Sequence, residues 1–505
     1  MTNELDLKKK DLFEKQPILK AIFSLAIPSI IGQLILVIYN MTDTFFIGQA
    51  STIIGSSLSS ELVAGVTICM PVYMILSAIS NLFGIGGASV ISRSLGKGNA
   101  WRAKESSRFA FYSCLITTIV YCFLILLISQ PLAMFLSGNA PETAKFARQY
   151  ILYCVVIFGI PTALNTLFSH LLRAQGKSLH ASIGIALGGI LNCALDPLFM
   201  FVIFPIEKAA IAAAVATGVG NTIALIYYLV YFIVGRKKLV ISLKFSKKIF
   251  TQGIPGEVVK VGTPACLMTL CENISYMVLD NLVGTVITAK AITEESLQQS
   301  AAALAGVGVA KKINMLAHSI VRGMTQGVLP LIGYNKSSGN RKRMSKVVYC
   351  SGAISLAVAT ICMIISLIFA KPLSEIFVHE EASIFRASEF LMILCIGAPF
   401  SAIGYTVISF FQACGKAWRS LLLALLRKGI MDIPLMLIFY FIAIGSGDTH
   451  GPELIIWATP IADMVCCLVS IILFTIYLKN HGQNKEEFLK KQELEEESYL
   501  TYWNK

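Results

Sequence analysis

The chain has 505 residues, of which 55% are hydrophobic and only 14% charged. A soluble protein carries about 25% charged residues, and the apolar excess here recurs in long runs, so the composition excludes a soluble domain and points to a polytopic membrane protein. The net charge of +13 would suit a nucleic-acid partner, but its distribution over alternate loops assigns it to membrane topology, and no nucleic-acid partner is expected.

Windows of about 20 apolar residues predict twelve spanning helices. They fall at 20–47, 62–92, 109–130, 149–171, 181–204, 209–234, 258–283, 302–332, 347–370, 387–412, 420–444 and 454–478. A polar, Lys-rich tail over 1–19 precedes them, with no small-residue cleavage site, so no cleaved signal is expected. The first helix contains "LILVIYNMTDTFFIG", with Asp43 in its outer half. A charge at the centre of a bilayer helix costs roughly 2.5–3.5 kcal/mol, so such an acid needs a partner or a function. Pro28 should bend this helix well before Asp43. Tyr39 lies one turn before the acid and Asn40 three residues before.

The fifth helix holds "LNCALDPLFMF". Asn192 and Asp196 are four apart and share a face. Pro197 lacks an N–H and crowds the carbonyl at 193, so a kink is expected there, and a kink frees carbonyls that can line a cation site. Carboxylate, amide and hydroxyl oxygens suit a hard cation such as Na⁺. Two close, desolvated carboxylates would equally share a proton, and the residues alone do not separate these cases. Glycine pairs such as Gly184 and Gly188, or Gly323 and Gly327, have the spacing of close helix packing.

A basic segment over 235–257, "GRKKLVISLKFSKKIFTQGIPGE" from Gly235, separates two groups of six spans, 20–234 and 258–478. In the second group, Glu272 lies well inside its span beside Asn273. Asp280 and Asp463 sit near helix ends and read as structural, and Asp432 follows Arg427 and Lys428 by one turn, as in a local ion pair. The 13 cysteines lie almost all in apolar runs, without Cys-x-x-Cys or His at ligand spacing, and read as small buried hydrophobes. A charged tail over 479–505 ends the chain.

Most Lys and Arg residues fall on one side: the N-terminal tail, the loops Arg93 to Arg108, Arg173 to Lys177, Arg236 to Lys248, Lys336 to Lys346 and Lys416 to Arg419, and the C-terminal tail. The opposite loops hold only Lys145, Arg148, Lys208, Lys290, Lys371 and Arg386. The positive-inside rule makes both termini cytoplasmic.

The two groups of spans repeat. Pro28 and Pro264 differ by 236, Asp43 and Asp280 by 237, "FGIP" and "IGAP" by 238, "RAQGK" and "QACGK" by 239, and Thr217/Asn221 and Thr459/Asp463 by 242. Five matches in order at a steady offset indicate two homologous halves. Six spans is an even number, so the halves enter from the same side. The expected fold is an all-α integral membrane protein of twelve transmembrane helices in two six-helix bundles. The bundles form a parallel repeat about a pseudo-two-fold axis near the membrane normal.

"LAIPSIIGQLILVIYNMTDTFFIG", "LNCALDPLFMF" with "AAIAAAVATGVGN", "GVLPLIGYNKSSGNRKR" and "WATPIAD" together resemble the MATE transporters (multidrug and toxic compound extrusion), in the DinF/MepA-type branch. The resemblance covers roughly residues 15–480. It implies two bundles facing a central cavity and export of amphiphilic, mostly cationic compounds in exchange for Na⁺ or H⁺. It carries the coupling-ion site onto Asp43, Asn192, Asp196 and Thr217, although "VIFPIEK" makes the connection before Thr217 longer than the usual pattern. A further branch uses a Glu in the seventh helix. Glu272 has that spacing from Gly262 and Pro264, but "ILCIGAPFSAIGYTVISFF" lacks the partner acid of the tenth helix. Tyr39, Asn40 and Glu272 are the candidates for the substrate cavity.

The resemblance thus implies a secondary antiporter of the plasma membrane, monomeric and surrounded by lipid, with no catalytic residues and no cofactor beyond the coupling ion. The alternative is a lipid-linked oligosaccharide flippase of a related branch, which twelve spans and acids in the first half disfavour. An enzyme has no support: HExxH is absent, and "RAQGKS" has Leu171 where a phosphate loop needs glycine.

Overall fold

The computed structural model describes residues 11–54, 59–235, 239–250, 253–289, 293–446 and 451–503. Parts of the two tails and of the central basic segment lie outside them. The first half comprises α1 (Ile18–Ile54), α2 (Ser59–Thr67), α3 (Met70–Gly96), α4 (Ala100–Leu136), α5 (Pro141–Ile151), α6 (Gly159–Arg173), α7 (Ser178–Leu198) and α8 (Ala209–Val234). The second comprises α9 (Ile254–Thr288), α10 (Glu294–Ser337), α11 (Arg341–Ile368), α12 (Ala370–Glu375), α13 (Glu381–Ile396), α14 (Ala398–Ala413), α15 (Ala417–Leu425), α16 (Asp432–Ser446) and α17 (Gly451–Trp503).

Among the described residues, seven helical stretches are long and apolar enough to cross a bilayer, and two bent pairs also qualify. The remaining predicted spans, α9, α10 and α15 with α16, are helical too. They are rich in ionisable groups: Glu272 and Asp280 on α9, Lys311, Lys312 and Arg322 on α10, Arg427 and Lys428 in the turn between α15 and α16, and Asp432 at the start of α16. The bent pairs are α5 with α6, at 52°, and α13 with α14, at 44°. Their breaks fall at the repeated "FGIP" and "IGAP", because Pro161 and Pro399 have no N–H for a continuous helix and so begin new ones. Corresponding turns recur as well. Asn99 accepts a hydrogen bond from the Arg102 amide at 2.8 Å, and Asn340 from the Arg343 amide at 3.1 Å, each capping the following helix.

The halves meet along two seams, α1 against α10 and α3 against α9. At the second, a Cβ on Gly262 would lie 1.7 Å from the Leu82 carbonyl oxygen, and one on Gly86 2.2 Å from that of Val258. The two backbones touch directly. At the first seam, Gly323 meets Ile30 and Gly327 meets Leu25, while Gly184 and Gly188 admit Tyr228 and Gly220 of α8 within the first half. The small-residue spacing therefore does mark close helix packing. Polar ties reinforce the seams: Gln33 donates to Gln326 at 3.1 Å, Asn81 to Thr269 at 2.9 Å, and Ser89 to the Gln412 carbonyl at 2.6 Å.

The face carrying the basic loops is pinned further. Arg93 and Arg102 each reach Glu257 at 2.5 Å. Burial would raise the Glu257 carboxyl, but the two guanidiniums hold it below the ordinary Glu range, so the clamp is charged at neutral pH. Phe13, ahead of α1, is buried and stacks on Tyr334 at 4.8 Å. Its carbonyl accepts from Asn335 and Arg343.

Gly262→Ala should force α3 and α9 apart. Overpacking of this kind typically costs about 1–3 kcal/mol. The purified variant should show a lower thermal unfolding midpoint than an alanine at Gly256, where a Cβ meets open space.

Candidate cation site

The site forms where α7 and α8 pack on α1. In α7, the i, i+4 spacing puts Asn192 and Asp196 on one buried face. After Pro197 the chain leaves α-helical register and forms a π-helical turn over Phe199–Ile203, as expected where a proline removes an i→i−4 bond. Asn192 Nδ2 donates to Asp196 Oδ1 at 3.1 Å and to Thr217 Oγ1 at 3.1 Å. The longer connection before α8 thus does not displace Thr217 from the cluster. Asp43 on α1 is 5% exposed and Asp196 0%, and the charge of Asp43 acts on Asp196.

Three buried oxygens here have no donor: Asp43 Oδ1, Asp196 Oδ2 and Asn192 Oδ1. None of the described ion pairs includes either acid. Two buried carboxylates that act on each other cannot both stay ionised without a neutraliser. The donor set is all oxygen: two carboxylates, an amide and a hydroxyl. That set fits a hard monovalent cation or a proton. Among the described residues there is no cluster of three or more His, Cys, Asp or Glu, the pattern softer metals require.

The other candidates separate. Asn40 turns its amide back to the Leu36 carbonyl at 2.7 Å. Tyr39 remains by the site, its ring against Gly189. Glu272 is bound by a residue the sequence analysis did not single out: Arg322 Nη2 donates to both its oxygens at 2.8 and 2.9 Å, and to Tyr405 Oη at 2.9 Å. The signal for Arg322 was present, since a cation inside an apolar span needs a partner as much as an anion does. Asp463 pairs with buried Arg427 at 2.7 Å, Asp432 with Lys428 at 2.8 Å, and Asp280 with Lys311. Glu272, Asp280, Asp432 and Asp463 are thus each held by a cation of the chain.

The comparisons bear on both halves. The MatE family model matches residues 28–198 and 264–438. The multidrug export protein MepA of Staphylococcus saprophyticus is 26% identical, covering 95% of this chain and 98% of its own. MepA of Staphylococcus aureus strain MRSA252 is 26% identical over 92% and 95% respectively. Among solved structures, an outward-facing multidrug-resistance MATE family transporter superposes with a TM-score of 0.79 at 20% identity, covering 94% of this chain and 99% of that one.

Arg322→Ala would strand Glu272, which is 13% exposed. Because Arg322 itself is 34% exposed, solvent screening keeps the expected loss to about 1–3 kcal/mol. The double variant Arg322→Ala/Glu272→Gln should recover most of it. Thermal unfolding of the three proteins in detergent measures both effects.

Proposed function

The chain belongs to the MatE family, and we propose that it works as a cation-coupled multidrug exporter of the cell membrane, with its drive in the first half. Multidrug export rests on the family and on relatives that carry this activity in their names along nearly their whole length. The coupling rests on one observation: two buried carboxylates and an amide present oxygens without a donor, and among the described residues no ion pair includes either acid. A bound Na⁺ or H⁺ supplies the missing charge, held by Asp43, Asn192, Asp196 and Thr217.

In this reading, a cation entering from outside neutralises the pair and favours a different bend of α1, which carries Pro28. A ligand shifts such an equilibrium only through differential affinity for the two states. Drug release and cation entry then alternate as one half rocks against the other. One charge moving down about 150 mV supplies about 3.5 kcal/mol. For a neutral drug that sustains a gradient of roughly 300-fold, since 1.4 kcal/mol is tenfold, whereas a monovalent cationic drug leaving against the same potential draws on the concentration gradient of the entering cation. The substrates are amphiphilic and mostly cationic, Tyr39 and Glu272 lie toward their path, and the transporter acts as a monomer. The flippase alternative needs free cations for a lipid pyrophosphate, whereas Arg322, Arg427 and Lys428 in the second half each bond a carboxylate.

Asp43→Asn and Asp196→Asn should each abolish gradient-driven efflux in proteoliposomes, with Na⁺ and pH gradients imposed separately, while membrane insertion is retained. The double variant should be no worse than either single one, because both disable one shared site. Full ion-driven efflux by Asp43→Asn would refute the assignment. For orientation, a cysteine replacing Lys342 in a Cys-less background should react with an impermeant thiol reagent only from the cytoplasmic side.

A further inference from the structure

The second half contains a copy of the cation cluster. Residue by residue, Asp43 corresponds to Asp280 and Tyr39 to Tyr276, both at an offset of 237, and Asp196 to Asp432 at 236. Thr217 corresponds to Thr459 at 242, and a proline follows Asp196 by one residue and Asp432 by two. The threonine belongs to both clusters, but where Asn192 links Asp196 to Thr217 in the first half, hydroxyls bond the acid directly in the second. Thr459 Oγ1 donates to Asp432 Oδ1 at 2.9 Å, and Ser275 Oγ to Asp432 Oδ2 at 2.6 Å.

One position differs in kind. At the same offset of 236, Asn192 corresponds to Lys428. Lys428 is 2% exposed, and its Nζ bonds Asp432 Oδ2 at 2.8 Å. The ammonium also lies 5.4 Å from the centre of the Tyr276 ring. Lys311, which pairs with Asp280, lies 5.5 Å from the same ring centre. Both acids that correspond to the unpartnered pair of the first half thus hold a tethered ammonium. The clusters differ in what neutralises them and in their oxygens: Lys428 replaces the Asn192 amide, Ser275 adds a hydroxyl, and Asp280 is half-exposed where Asp43 is buried.

We infer that the second half carries a latent cation site, permanently filled by the side chain of Lys428. An ammonium and a monovalent metal ion carry the same charge and both take carboxylate and hydroxyl oxygens as partners. Lys428 therefore does in the second half what the exchanged cation does in the first, but it cannot leave. The consequence is one exchangeable coupling cation per chain, with ion-driven motion confined to the first half. Removing the ammonium while keeping an oxygen donor, as in Lys428→Asn, should open a second site. This inference rests on the cation site assigned above to Asp43 and Asp196, and the test separates the two.

The probe is radioactive Na⁺ bound to purified protein, with proton uptake on acidification read alongside. The Asp43→Asn/Asp196→Asn protein should have no saturable cation binding. Adding Lys428→Asn should create one saturable site per chain, and adding Asp432→Asn should remove it. If Lys428→Asn unfolds in Na⁺-free buffer, Na⁺ should restore its monodisperse elution. A Lys428→Asn protein that gains neither Na⁺ binding nor proton uptake, and is not rescued by Na⁺, overturns the inference. Binding removed by Asp432→Asn while Lys428 is still present also overturns it. The reciprocal Asn192→Lys should fill the first-half site and abolish efflux driven by either gradient, whereas Asn192→Gln should retain part of it. Retained ion-driven efflux in Asn192→Lys overturns the inference as well. Full gradient-driven efflux by Asp43→Asn/Asp196→Asn would instead remove the first-half assignment and leave the Lys428 arm to be judged by its own binding data.

Discussion

Two carboxylates buried without a counter-cation are the constraint around which the first half is organised. Burial removes the water that would otherwise stabilise Asp43 and Asp196, and no lysine, arginine or histidine in the described ion pairs replaces it. The asparagine beside them spends its donors on Asp196 and Thr217, which leaves its oxygen, like theirs, turned inward and unsatisfied. Such a cluster is stable only when something positive and small is supplied from outside. That dependence is what makes it suited to coupling, because the energy of the cluster changes with occupancy.

The second half meets the same difficulty in the opposite way. Asp432 and Asp463 are as deeply buried, Glu272 and Asp280 less so, and Arg322, Arg427, Lys428 and Lys311 come from the chain itself. Ion pairs of this kind are expensive to break because the surviving charge is left buried. They favour one arrangement of α9, α10, α15 and α16. In the proposed reading, a half whose electrostatics vary with an exchangeable ion is joined to a half whose charges are paired within the chain.

How the halves can move against each other follows from their seams. At Gly262 and Gly86 the contact is backbone on backbone, without interlocking side chains, and at Gly323 and Gly327 it is nearly so. Smooth surfaces of this type can separate without unthreading large residues. What holds them shut is polar and local: the Glu257 clamp, the Ser89 to Gln412 bond and the Phe13 anchor on Tyr334. All of these lie on the face with the basic loops.

By itself the sequence determined the class of protein, the helical spans, the two-fold repeat and the break points at "FGIP" and "IGAP". These depend on apolar periodicity and on the missing N–H of proline, which are properties of short stretches. It also marked Asn192 with Asp196 and Lys428 with Asp432, because four residues is one helical turn. Contacts between helices distant in sequence were decided by the tertiary structure alone. The length of "VIFPIEK" gave no indication that Thr217 would still reach Asn192, since a loop fixes reach but not direction. Nothing local to Glu272 identified Arg322, fifty residues away, as its partner. The difference between an acid awaiting a cation and an acid already holding one is a matter of which side chain from another helix lies within bonding distance, and only the packed fold decides that.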